Sequence, residues 1–237
     1  MTKEQILYED NHLIVLNKMS GQIVQGDKTG DVCMADEIKA YLKVRDKKPG
    51  NVYCGVIHRI DRPVSGAVVF AKTSKALARM NEVVKRREMQ KLYWAIVQGK
   101  PEPPSGTLKD MMMRNEKLNK SYIVMPGHRQ YDEAKEAVLE YRTIDYSKGG
   151  YSLVEIALHT GRHHQIRCQL ANIGCPIKGD LKYGAKRSNA DGSISLHAHR
   201  LSFEHPVSKE RIDIVAPWGE IDRFGFHVEG MIGGGGI

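Results

Sequence analysis

"EAVLEYRTIDYSKGGYSLVEIALHT", residues 136–160, alternates apolar and polar side chains on both sides of a Ser-Lys-Gly-Gly turn. Alternation sends successive side chains to opposite faces, and paired glycines let the chain reverse, so the stretch predicts a β-hairpin. Working outward, "ILYEDNHLIVLNKMSGQIV" (6–24) predicts two short strands around a turn, with Ile14 and Leu16 alternating against Leu13 and Val15. "GAVVFAK" (66–72), "KLYWAIVQGK" (91–100), "SLHAHRLSFEHP" (195–206) and "ERIDIVAPW" (210–218) predict further strands. "CMADEIKAYLKVR" (33–45) predicts a helix, as does the segment after Thr73 or Ser74 as cap, with Leu77, Met80 and Val84 on one face. "GRHHQIRCQLANIG" (161–174) predicts a third, opened by Arg162, with Ile166, Leu170 and Ile173 inward and Gly174 as C-cap. Strands outnumber helices and hairpins join many of them. The expected class is α+β, a mixed, largely antiparallel central sheet with flanking helices.

The chain has 237 residues, enough for a substantial core in one domain or one domain with two lobes. One domain over 1–228 is expected, followed by a Gly-rich tail, 229–237, expected to be disordered. Hydrophobic content of 41% and charged content of 27% are globular values, and no apolar run approaches the length of a membrane span. The N-terminus lacks a signal-peptide layout, so the cytoplasm is the expected compartment. Cys33, Cys54, Cys168 and Cys175 are scattered without a C-x-x-C pair, which predicts reduced, mostly buried thiols. A net charge of +8 makes nucleic acid a plausible partner, because each neutralised phosphate releases counterions. Lys109, Arg114, Lys117 and Lys120 lie in 109–129, a basic segment without clear apolar periodicity and hence an expected exposed loop.

Four groups of residues could carry chemistry. In "VIHRIDRPVSGAVVFAK" (56–72), Asp61 stands between Arg59 and Arg62 just before an apolar strand. It reads as a plain surface ion pair or as a carboxylate presented for chemistry from a rigid frame, and the residues alone favour the first. In "HTGRHHQIRCQL" (159–170), Arg162 and the turn amides suit a phosphate or carboxylate, and a solvated basic face serves equally well. His197 and His199 share a strand face and could ligate a metal, but no acidic partner accompanies them at ligand spacing, and no metal site is expected. Tyr93 and Trp94 alternate on a strand, one in and one out. An outward aromatic is a stacking platform for a base, and two core aromatics are the simpler reading.

Taken together these stretches resemble the RluA-like family of RNA pseudouridine synthases. "HRIDRPVSGAVVFAK" resembles its H-R-L-D-x-x-T-S-G block, and "KLYWAIVQG" its K-x-Y-x-A-x-V-x-G. "HTGRHHQIRCQLANIGCPIKGDLKYG" resembles T-G-R-x-H-Q-I-R-x-H-L…G-x-P-I-x-G-D-x-x-Y-G. "DNHLIVLNKMSGQIV" resembles the opening strand and N-K-P-x-G turn. The blocks run in family order from about residue 7 to 218. The resemblance implies the pseudouridine synthase catalytic fold with a cleft across the sheet, and no cofactor. It implies Asp61 as the catalytic residue, Arg59 filling the space left by a flipped uridine, Tyr93 stacking on the target base, and Arg167 pairing with Asp61. His58, Arg62, Arg162 and Gln165 join Arg59 as expected substrate contacts. The implied partner is RNA, ribosomal in preference to transfer RNA, with a monomer as the default and no membrane; a non-catalytic RNA-binding module is the rival reading. Val64, Gln169 and Met19 depart from the family's usual Thr, His and Pro. With the blocks starting so early, a separate N-terminal RNA-binding domain is not expected.

Overall fold

The computed structural model describes residues 1–26 and 30–228, so the Gly-rich tail lies outside the described residues. Two compact units divide the chain: Met1–Gln90 with Ala198–Pro217, and Lys91–His197 with Trp218 onward.

The first unit holds β1 (Ile6–Glu9), β2 (Leu13–Lys18), α1 (Met34–Arg45), β3 (Gly55–Val56), β4 (Ser65–Ala71), α2 (Ser74–Lys85) and β11 (Arg211–Val215), with most of β10 (Leu196–Glu204). Its strands lie in the order β1-β2-β4-β10, with β11 on β10 and β3 on β4. The β1–β2, β2–β4, β3–β4 and β10–β11 pairs are antiparallel.

Alternation decides what each face packs against. Leu13 and Val15 of β2 and Ala67, Val69 and Ala71 of β4 meet Ala76 and Met80 of α2. The intervening Ile14, Leu16, Val68 and Phe70 meet Met34, Ala35, Ile38 and Leu42 of α1. One helix therefore covers each face, and burying each large side chain contributes about 1.5–3 kcal/mol. Helix α2 starts where expected, with Thr73 Oγ1 accepting from the Ala76 amide at 3.1 Å.

The second unit holds most of β5 (Gln90–Gln98), then β6 (Ser105–Asn115), β7 (Lys120–Ile123), β8 (Lys135–Tyr146), β9 (Tyr151–Leu158), α3 (Gln165–Asn172) and α4 (Glu220–Arg223). Its strands lie in the order β5-β9-β8-β6-β7, each neighbouring pair antiparallel. The hairpin read from 136–160 is β8–β9, closed by Ser147 N–H donating to the Tyr151 carbonyl at 2.8 Å. The expected α+β class with a mostly antiparallel sheet is the one found.

Three local expectations are corrected. The basic segment 109–129 is not a loop: it contains most of β6 and all of β7, a hairpin whose connection covers only 116–119. Strand β6 exposes or half-exposes nearly every side chain, so backbone pairing to β8 holds it and the apolar signal is weak. The third helix begins at Gln165, not Arg162, and His163 lies outside it. Gln165 Oε1 accepts from Thr160 Oγ1 at 2.8 Å and from the Arg162 amide at 3.0 Å, which closes 160–165 into a turn. His164 then enters the helix with φ 53°, a left-handed conformation. At its far end Ile173 is only half-buried. Finally, Tyr93 and Trp94 do not split one in and one out: both are buried, at 6% and 5% exposure, in line with the simpler reading of two core aromatics.

All four thiols are free, and burial pushes Cys54 up to about 12 and Cys168 up to about 11.

Candidate active site

Of the candidate residues, His58, Arg59, Asp61 and Arg62 belong to the first unit, and Tyr93, Arg162, Gln165 and Arg167 to the second.

In the first unit, Asp61 sits on the link between β3 and β4. Its carbonyl accepts from the Val64 amide at 3.0 Å, closing a turn over 61–64. The end of β2 grips this turn through its main chain. Lys18 Nζ donates to the carbonyls of Arg62 at 3.0 Å, Val64 at 2.6 Å and Met19 at 3.1 Å. The Gly21 amide also donates to the Arg62 carbonyl, at 2.9 Å, and Ser20 Oγ to that of Pro63 at 3.2 Å. Gly21 takes φ 88° to make this approach, a conformation most side chains resist.

Lys18 is fully buried, with 0% exposure. Burial pushes its pKa down to about 7, with the Asp61 charge raising it and that of Arg62 lowering it. Three N–H groups of an ammonium thus meet three carbonyls, two of them on the turn that carries Asp61. Downstream, Gly66 takes φ 115°, and a Cβ there would come within 2.4 Å of the Ala198 carbonyl oxygen, so β10 holds β4 at a distance only glycine allows. Around the turn, Arg62 pairs with Asp31 at 2.8 Å in an exposed ion pair. His58 Nε2 accepts from the Val69 amide at 3.2 Å, which ties the link to β4. Val64, where the resembling family has Thr, is buried, so its isopropyl group seats the turn.

In the second unit, α3 presents Arg167 in a buried setting. Its Nε donates to Asp180 Oδ2 at 2.6 Å and its Nη2 to Asp180 Oδ1 at 2.9 Å, a bidentate fork. Asp180 is 1% exposed. The guanidinium also lies 5.1 Å from the centroid of the Tyr183 ring. The Tyr183 hydroxyl accepts from the Ser121 amide at 2.8 Å and lies 3.1 Å from both the Ser121 carbonyl and His164 Nδ1. Burial pushes the Tyr183 phenol up, and burial followed by the Arg167 charge pushes His164 down to about 2, so both stay neutral at physiological pH. The carboxylate that fixes Arg167 within its own unit is thus Asp180.

A second network locks the start of α3. Gln165 Nε2 donates to Gln169 Oε1 at 3.0 Å, and Gln169 Nε2 donates to Asp110 Oδ2 at 2.7 Å. Gln169, where the resembling family has His, therefore joins the helix to β6. Arg162 Nε donates to the Glu136 carbonyl at 2.8 Å. Tyr93 pairs with Ile156 across β5 and β9. On the other parity of β5, Trp94 Nε1 donates to Glu155, which Arg142 also pairs with. His197, once a candidate metal ligand, stacks on the Trp218 ring at 5.1 Å.

Lys18, Asp180 and Tyr183 were not singled out from the sequence. A lysine ending an otherwise apolar strand, "LIVLNK", was the available signal for the first. For the other two it was the D-x-x-Y spacing in "GDLKYG".

Known proteins resemble this chain along most of its length. It is 35% identical over 216 residues to an uncharacterized RNA pseudouridine synthase of Synechocystis, covering 90% of this chain and 64% of that protein. It is 32% identical over 224 residues to the ribosomal large subunit pseudouridine synthase C of Vibrio vulnificus, covering 92% and 67%. The chain thus spans about two thirds of the length of these curated relatives. Among solved structures, human RNA pseudouridylate synthase domain containing 4 aligns with a TM-score of 0.73 at 24% identity, covering 90% of this chain and 88% of that one, a likeness of fold. The family model described as RNA pseudouridylate synthase matches residues 12–172, a span that runs from the Lys18 strand through the Asp61 turn to the Arg167 helix, and on that match the chain belongs to this family.

Proposed function

We propose that the protein is an RNA pseudouridine synthase, with Asp61 as its catalytic carboxylate. The observation that carries this reading is the grip of Lys18, Ser20 and Gly21 on the carbonyls of residues 62–64. That arrangement spends a fully buried lysine on the backbone of one surface turn, a cost that an ordinary exposed ion pair does not call for.

The isomerisation breaks the bond from uracil N1 to the ribose C1′, turns the base and joins its C5 to C1′. The hydrogen on C5 leaves as a proton and N1 gains one, so no electrons enter or leave. Asp61 attacks as a nucleophile or removes a sugar proton as a base. Arg167, already oriented by Asp180 and Tyr183, orients the Asp61 carboxylate in this reading. Tyr93 stacks on the target base, and Arg59 occupies the space the flipped uridine leaves. Arg62, Arg162, His58 and Gln165 contact the RNA or shape its seat.

Large-subunit ribosomal RNA is the favoured substrate, in line with the name of the Vibrio relative. The enzyme acts as a cytoplasmic monomer without a cofactor. Among the described residues no helix is long and apolar enough to cross a membrane.

Tritium release from RNA labelled at uridine C5 tests the proposal, because joining C5 to the sugar expels that hydrogen. Wild type should release tritium from unmodified ribosomal RNA and Asp61→Asn should not. Release from unmodified transfer RNA alone would reassign the substrate. No release from either RNA, with tight binding by both proteins, would replace the synthase with a non-catalytic RNA-binding module.

A further inference from the structure

Lys91 stands on β5 two residues before Tyr93, so strand geometry puts both side chains on one face. It is half-buried. Lys18, Lys39, Lys72, Lys120 and Lys178, the other lysines at least half-buried among the described residues, each reach a carbonyl, a carboxylate or a ring. Lys91 differs: among the described residues no hydrogen bond or ion pair meets its ammonium. Burial alone pushes its pKa below the usual lysine value, the state of a cation without a counter-charge. The ammonium is not among the fully buried polar atoms without a partner, so it keeps some contact with water, and an arriving anion would offset the hydration that partial burial takes away.

We propose that Lys91 receives a phosphate of the RNA strand beside the base that stacks on Tyr93, an assignment that rests on the proposed function. Two residues along a strand span roughly 6.6 Å, comparable with the reach from a base to the phosphate of its own nucleotide. A uracil carbonyl would be a poorer occupant, since it brings no charge to an unpaired cation. The phosphate keeps its bonds throughout the isomerisation, so the contact strengthens substrate and transition state alike. Losing it raises KM and leaves kcat nearly unchanged.

The test measures binding of a fluorescently labelled, uridine-only RNA strand against salt, for wild type, Lys91→Gln and Lys91→Arg. One single-strand phosphate contact contributes about 0.7 to the slope of log affinity on log salt, so between 50 and 200 mM wild type should lose about 2.6-fold more affinity than Lys91→Gln. Lys91→Arg keeps the charge and should follow wild type, which separates lost charge from disturbed folding. Parallel slopes for wild type and Lys91→Gln, or no binding by wild type, overturn the proposal. Tritium release by the same wild-type preparation reports the synthase reading separately. A slope change without release keeps the phosphate site and removes the synthase, whereas release with parallel slopes does the reverse.

Discussion

The turn that carries Asp61 and the helix that carries Arg167 hold their charged groups by opposite means. The first unit grips main chain: Lys18, Ser20 and Gly21 reach carbonyls of residues 62–64. The second grips the side chain itself, with Asp180 forking onto the guanidinium and Tyr183 beneath it. A carboxylate positioned through its backbone can be exchanged without loosening the frame. A buried guanidinium positioned by a carboxylate cannot lose that partner without losing the fork that orients it.

Asp61→Asn should sharpen this contrast most. Tritium release should fall by about 10²–10⁴-fold, the range for losing a positioned acid or base, while the urea midpoint stays within about 0.5 kcal/mol of wild type. A large loss of stability instead would show that the side chain, and not the backbone, holds the turn. Asp180→Ala should do the reverse and destabilise by about 3–5 kcal/mol, because it breaks a buried, bidentate ion pair. Equilibrium unfolding in urea reads it, and a change below 1 kcal/mol would mean the fork behaves like a surface pair.

Lys18→Met should lower kcat about tenfold by freeing the turn, a loss on the order of 1.4 kcal/mol in the barrier. It should also alter the pH dependence of stability. The unfolded chain keeps this proton until about pH 10.4, whereas the folded protein releases it near 7. Between those values unfolding takes up a proton, so Lys18 makes stability rise with pH. Unfolding midpoints at neutral and alkaline pH should therefore converge in Lys18→Met, and an unchanged difference would sink the argument. Smallest, Thr73→Ala should cost about 1 kcal/mol through the lost N-cap of α2, with tritium release unaffected.

Regular elements with a strong period were legible in the sequence. The β8–β9 hairpin, β2 with both faces buried, and α2 with its Thr73 cap all declared themselves through alternation or helical spacing. Strand β6 did not, because backbone pairing holds it and one of its faces is only half covered, so its side chains carry little apolar signal. The start of α3 was hidden for another reason. "GRHH" is compatible with a helix, and only the contacts of Gln165 with Thr160 and Arg162 close it into a turn. At the candidate site, Asp61, Tyr93 and Arg167 stood out through family motifs. Lys18, Asp180 and Tyr183 also fall inside motif stretches, but their roles lie in contacts across 44, 13 and 62 positions of chain, and a motif does not say which partner each one reaches.

The passage of the chain back and forth between units has a consequence for synthesis. The first ninety residues include β4, yet its neighbour β10 begins at Leu196. On a ribosome adding roughly 5–20 residues per second, β4 waits on the order of ten seconds for that neighbour. Until then it presents an open, apolar rim of unpaired amides and carbonyls, the kind of surface that recruits strangers. The newborn protein is most vulnerable in that interval, and a shortage of chaperones should be felt there first.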